Sequence, residues 1–176
     1  MKNRSLPFII LKVIILNTVF FFTARYSSSD FAYMTYIAIF FVMTINFFFI
    51  RNLLFLKHYL LLILLFFTAG FLQDTLLIYL NLIDFKNGSV FPPIWIALLW
   101  VLFLGYYGDV FNKMLYFPTW AMSLIGAIGG CFAYYRGLSL IDVRVDSNLY
   151  YIVALVWLFF MPFSLKLFLY FKLKKE

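Results

Sequence analysis

The sequence has one cysteine, one histidine and one glutamate in 176 residues, three residue types on which much metal and nucleophilic chemistry rests. Cys131 alone closes no intrachain disulfide. It lies in an apolar stretch, where a small packing residue and a reactive thiol are the two readings. His58 cannot build a multi-histidine metal site, and Glu176 is the last residue, so no metal and no cofactor is expected. Charge is also scarce, at 12% of residues against about 25% in an ordinary soluble domain. That leaves too little polar surface to cover a water-facing globule. An ordinary soluble enzyme, a disordered chain and a nucleic-acid binder with a solvated basic face are excluded.

What the chain does have is apolar length. Hydrophobic residues make up 66% of it and aromatics 24%, including 25 phenylalanines. Mean hydropathy is +1.00. A membrane-spanning helix needs roughly 20 mostly apolar residues. Six stretches qualify, at about 7–24, 31–50, 59–83, 93–109, 119–137 and 149–171. The expected fold is therefore all-α: one polytopic six-helix transmembrane domain with short loops. The N-terminal run follows Lys2 and Arg4 as a signal sequence would, but no small-x-small triplet lies at its end. It reads as an uncleaved first helix.

The net charge of +7 is read through its placement. With six spans, Lys2, Arg4, Arg51, Lys57, Lys113, Lys172, Lys174 and Lys175 fall on the side of the termini. Arg25, Lys86, Arg136 and Arg144 fall opposite. The positive-inside rule then puts both termini in the cytoplasm. Trp95 and Tyr150-Tyr151 are assigned to the outer interface, Tyr59 and Trp120 to the inner one.

Acids inside the bilayer are costly, by about 2.5–3.5 kcal/mol for aspartate at a helix centre. Asp74 stands about ten residues, or roughly 15 Å, from the outer end of the third span. Gly70, Leu77 and Asn81 share its helical face. It reads either as an acid/base group or as a carboxyl hydrogen-bonded to a neighbouring helix. Arg136 has three readings: snorkelling outward, a rim pair with Asp142, or a pair with Asp74. Asp109, flanked by Tyr106 and Asn112, is a weaker candidate at the end of the fourth span. Gly126, Gly130, Ala133 and Gly137 form a small-residue stripe suited to close helix packing, dimerisation or a ligand groove. A groove would be lined by Gly70, Asn81, Trp95, Trp100, Gly126, Gly130 and Tyr134. No GxSxG elbow, Walker loop or paired-aspartate metal motif is present.

Gly70-x-x-x-Asp74, Pro93-x-Trp95 with Leu99-Trp100-x-x-Phe103, and Gly126-Ala-Ile-Gly129-Gly130 followed by Tyr134 and Gly137 carry a resemblance. The segment from Gly70 to Val143 resembles an uncharacterised family of small bacterial inner-membrane proteins, a domain of unknown function numbered 2878. Cys131 departs from the pattern, where the family favours proline, and Arg136 is not a family position. The resemblance implies a multi-pass bacterial inner-membrane protein. Family members often stand beside genes for fatty-acid or lipid modification, which turns the reading toward a catalytic or accessory component of such a process. The alternative is a non-enzymatic binding or scaffold subunit of a membrane complex or small-molecule transporter. Membrane lipids are the expected partners, with another membrane protein under the accessory reading and no nucleic acid under either.

Overall fold

The computed structural model describes residues 6–26, 29, 31–85, 89–106 and 109–175. In chain order it contains α1 (Leu6–Tyr26), α2 (Ala32–Ile50), α3 (Leu56–Tyr79), β1 (Ile83–Asp84), α4 (Ile94–Phe103), a 3₁₀ turn (Leu104–Tyr106), α5 (Asp109–Met114), α6 (Thr119–Leu138), β2 (Arg144–Val145) and α7 (Leu149–Leu173). Among the described residues, six helices of ten residues or more form the bundle, and α5 is a single short piece. Four of them, α1, α2, α3 and α7, are long and apolar enough to cross a membrane. The chain is a membrane protein of the helical class. Its outer wall is apolar, with Phe40, Phe41 and Phe48 of α2 and Leu64 and Leu72 of α3 all exposed. That surface suits lipid and no aqueous phase.

Proline sets two helix starts. Pro93 and Pro118 precede α4 and α6, where a missing donor costs nothing. Inside, α6 packs on α7 and α3 on α4, while α1 rests on α2 and α4 and touches α6 only thinly.

The fourth span differs from expectation. A single helix over 93–109 is interrupted at Leu104, and a separate helix begins at Asp109. Two neighbours explain the break. Asn46 of α2, buried, donates from Nδ2 to the Leu104 carbonyl at 3.1 Å, an acceptor that a continuing helix would have engaged itself. Gly105 lies so close to Leu16 of α1 that a Cβ there would overlap it. Tyr59 joins the same cluster, donating to the Met43 carbonyl at 3.0 Å. It is buried at 2% exposure and is not the interfacial aromatic that its position suggests. Replacing Asn46 with leucine leaves the Leu104 carbonyl without its donor. The expected loss is about 1–2 kcal/mol, read by thermal unfolding in detergent. An unchanged melting temperature would mean that the break is held by other contacts.

The third helix also ends early, at Tyr79 and not at 83. Asn81 adopts the left-handed conformation at φ 57°, where asparagine is among the most tolerated residues. The Leu82 N–H reaches the Leu77 carbonyl and the Asn81 N–H reaches that of Ile78, both at 2.9 Å, which is a Schellman C-cap. Beyond it, β1 pairs antiparallel with β2, Ile83 opposite Val145 and Asp84 opposite Arg144. This two-residue ribbon ties the α3–α4 connection to the α6–α7 connection. Asp74 consequently lies five residues, about 7.5 Å, from the end of its helix, half the expected depth.

Candidate functional site

Two glycines build the centre of the molecule. Gly70 on α3 lies directly beneath the Trp100 indole of α4, and Gly130 on α6 directly beneath the Trp157 indole of α7. A Cβ at either glycine would fall within the ring atoms. Between them the two indoles stack on each other, centroids 4.9 Å apart and planes at 27°. The order across the bundle is thus glycine, tryptophan, tryptophan, glycine. Phe160 meets Trp100 edge-on at 5.1 Å, and Phe103 meets Trp157 likewise at 5.2 Å, closing the stack from the side. Such aromatic pairs contribute about 0.5–1.5 kcal/mol each beyond the area that they bury.

One helical turn beyond each glycine stands a polar residue on the same face. Gly70 leads to Asp74, and Gly130 leads to Tyr134. The glycines let the helices approach, and these two side chains meet. The Tyr134 hydroxyl donates to Asp74 Oδ1. Trp100 Nε1 donates to Asp74 Oδ2 at 3.2 Å. Gln73 Nε2 donates to the Tyr134 oxygen at 2.9 Å. Asp74 is 1% exposed. Both its oxygens are held by protein donors, and no basic side chain pairs with it among the described residues. Two further buried polar atoms nearby, Gln73 Oε1 and Trp157 Nε1, have no hydrogen-bond partner among the described residues.

Against this cluster lies a cavity of about 420 Å³ bounded by α1, α3, α4, α5, α6 and α7. Asp74, Trp100 and Tyr134 form its polar end, and Trp95 and Gly126 contribute to its wall. Apart from Asn17 and Arg136, the remaining described wall is apolar, from Leu16 and Phe20 on α1 to Phe111 and Met114 on α5. A carboxyl and a phenol joined by a hydrogen bond at the edge of an apolar space can anchor a polar group or pass a proton to it. No group of three potential His, Cys, Asp or Glu metal ligands occurs among the described residues.

The structure thus gathers Gly70, Asp74, Trp100, Gly130 and Tyr134 in one cluster and puts Trp95 and Gly126 on the adjoining cavity. Gly126 packs against Met161 of α7, so that this part of the glycine stripe serves packing within the chain. Asn81 lies apart, exposed at the C-cap of α3 and outside the cavity wall. Arg136 makes no bond to Asp74. Two residues beyond Tyr134 it projects from another face of α6, with its guanidinium over the Phe21 ring of α1 at 5.6 Å. Asp109 starts α5 and does not close α4. Its side chain, with those of Tyr106 and Asn112, lies outside the described residues. Sequence reasoning missed Gln73 and Trp157. The signal for Trp157 was Gly130, a residue with no side chain on a packed helix face, which calls for a large partner on the helix opposite.

A family model matches the chain over residues 9–163, from α1 well into α7. The chain belongs to that family, described as Protein of unknown function (DUF2878). The DUF2878 match takes in every element of the Gly–Trp–Trp–Gly stack and of the cavity wall, including the α1 and α7 contributions that lie outside the segment from Gly70 to Val143. No curated protein and no solved structure matches the chain.

Proposed function

We propose that this protein holds the apolar chain of one lipid or lipid-like molecule in the cavity beside Asp74, as a catalytic or accessory component of membrane lipid or fatty-acid modification. The observation that carries the reading is the cavity itself: apolar over most of its described wall, with the Asp74–Tyr134 pair at its polar end. Its volume lies within the range of about 300–1,000 Å³ common to small-molecule sites. In the catalytic form, Asp74 and Tyr134 present the proton-transferring groups to the reacting part of the chain. The cellular setting that we propose is the bacterial inner membrane, with both termini in the cytoplasm. In support, Lys175 Nζ donates to the Arg51 and Leu54 carbonyls, so the basic C-terminus sits on the basic α2–α3 connection. Cationic segments are thereby collected at one end of the bundle, as the positive-inside rule requires of a cytoplasmic face.

A non-enzymatic binding or scaffold subunit is the second reading. It is favoured by the engagement of both Asp74 oxygens by Trp100 and Tyr134, which uses the carboxyl as a structural acceptor. Lipid profiles of a deletion strain separate the two. Under the first reading the deletion alters the profile, and a copy carrying Asp74→Asn fails to restore it. Restoration by that copy assigns Asp74 to the scaffold, and a profile untouched by the deletion removes lipid modification from consideration.

A further inference from the structure

Four residues of α6 both line the cavity and stand exposed on the side of the bundle: Ile125, Gly129, Phe132 and Arg136. Their spacing of four, three and four residues makes them one stripe along the helix. A cavity wall that is also outer surface is an opening, and here it faces sideways along the cleft between α6 and α1. Phe132 is 60% exposed and Ile125 44%, so neither is sealed by a neighbour. A Cβ built on Gly129 meets nothing within 4 Å, which leaves the middle of the stripe unplugged. Across the cleft, α1 offers Asn17, Phe20 and Phe21.

The cavity is also graded along its length. Arg136, Tyr134 and Asp74 are all within five residues of the C-terminal ends of α6 and α3, at the same end of the bundle. Ile125, eleven residues or about 16 Å before Arg136, and Met114 of α5 mark the other end, where the described wall is apolar. Among the described residues lining the cavity, Arg136 is the one cation. The oxygens of Asp74, the one lining carboxyl among the described residues, already accept from Trp100 and Tyr134. The unfilled recognition capacity of the polar end is therefore positive. Arg136 spends it on the Phe21 ring, a contact weaker than the two parallel hydrogen bonds that a guanidinium makes to a carboxylate or phosphate.

We infer that the cavity takes a single-chain anionic amphiphile sideways from the bilayer through the α1–α6 cleft, its head on Arg136 and its chain along Gly129 toward α5. This rests on the reading of the cavity as a lipid site and adds the ligand class, the route of entry and the residue that selects the charge. At about 420 Å³ the space is of the size common to a site for one small molecule, which suits a single chain.

Three of the four tryptophans, Trp95, Trp100 and Trp157, line the cavity. The fourth, Trp120, is 68% exposed. A Trp120→Phe protein in phosphatidylcholine nanodiscs therefore reports the cavity through quenching by brominated ligands. The probes are dibromostearate, a dibromostearoyl lysophosphatidate and the neutral dibromostearyl alcohol. Saturable quenching by an anion, relieved by its unbrominated form and about tenfold tighter than by the alcohol, is the expected result. The tighter of the two anions tells whether the head is a free fatty acid or a phosphate. Arg136→Gln removes the preference for anions and leaves the alcohol unaffected, while Arg136→Lys retains most of it. Gly129→Leu, whose Cβ enters open space, suppresses quenching by all three at unchanged thermal stability. Equal affinity for the alcohol, or an Arg136→Gln protein that binds anions as before, overturns the inference while the lipid site stands. Absence of saturable quenching by every probe removes both.

Discussion

Gly70→Ala and Gly130→Ala are each expected to lower the melting temperature of the detergent-purified protein by about 4–8 °C, whereas Gly129→Ala raises it slightly. Intrinsic helix propensity favours alanine over glycine by about 1 kcal/mol at all three positions, so propensity alone gives three gains. Packing reverses two of them. At Gly70 and Gly130 the added methyl falls within the Trp100 and Trp157 rings, and the stack is held on both sides. Overpacking of this kind costs typically 1–3 kcal/mol, here at the upper end because the obstacle is a rigid indole backed by a second one. Less the propensity gain, about 2 kcal/mol is lost, and at about 2–4 °C per kcal/mol for a chain of this size the shift follows. Gly129, adjacent to Gly130 on the same helix, has open space where its Cβ would go. Opposite signs at neighbouring positions are hard to obtain from anything but the stack. Stabilisation at Gly130 would show that Trp157 does not rest there.

Asp74→Ala is the second large effect, at about 3 kcal/mol. It strands two donors at once, Trp100 Nε1 and the Tyr134 hydroxyl, and a buried donor left unpaired costs about 1–3 kcal/mol. Tyr134→Phe removes one of the two bonds to the carboxyl and leaves the Gln73 amide without its acceptor, for about 1–2 kcal/mol. The double variant Asp74→Ala/Tyr134→Phe should then lose less than the sum, by about 1–2 kcal/mol, since the shared bond can be lost only once. Chemical unfolding of the four proteins in mixed micelles gives this coupling directly. Strict additivity would mean that the two side chains are neighbours without a stabilising bond.

The sequence made helix class and number legible because each apolar run is long and bounded by charge or turn residues. It made Asp74 legible through scarcity, since an acid in an apolar span stands out against its neighbours. Other features depended on residues far apart in the chain. The interruption at Leu104 falls in a run as apolar as any other, and it is held by Asn46, 58 residues earlier. The early end of α3 was concealed by Leu80, Leu82 and Ile83, whose hydropathy extends the run past a left-handed Asn81. Gln73 carries no charge and so announced nothing. Trp157 resembled any aromatic in an apolar helix until α6 brought Gly130 beneath it. The Asp74–Arg136 pair foundered on helical geometry. Tyr134 faces Asp74, and a residue two positions on cannot share that face.

Native mass spectrometry of the protein released from its own membrane tests the central claim most directly. The cavity beside Asp74 predicts one retained single-chain molecule per protein copy, present in the native protein and lost in a stable Gly129→Leu variant that fills the wall. A native protein that flies without such a molecule when it is released into mild detergent, or a Gly129→Leu protein that retains it undiminished, would contradict the assignment of that cavity to a lipid chain.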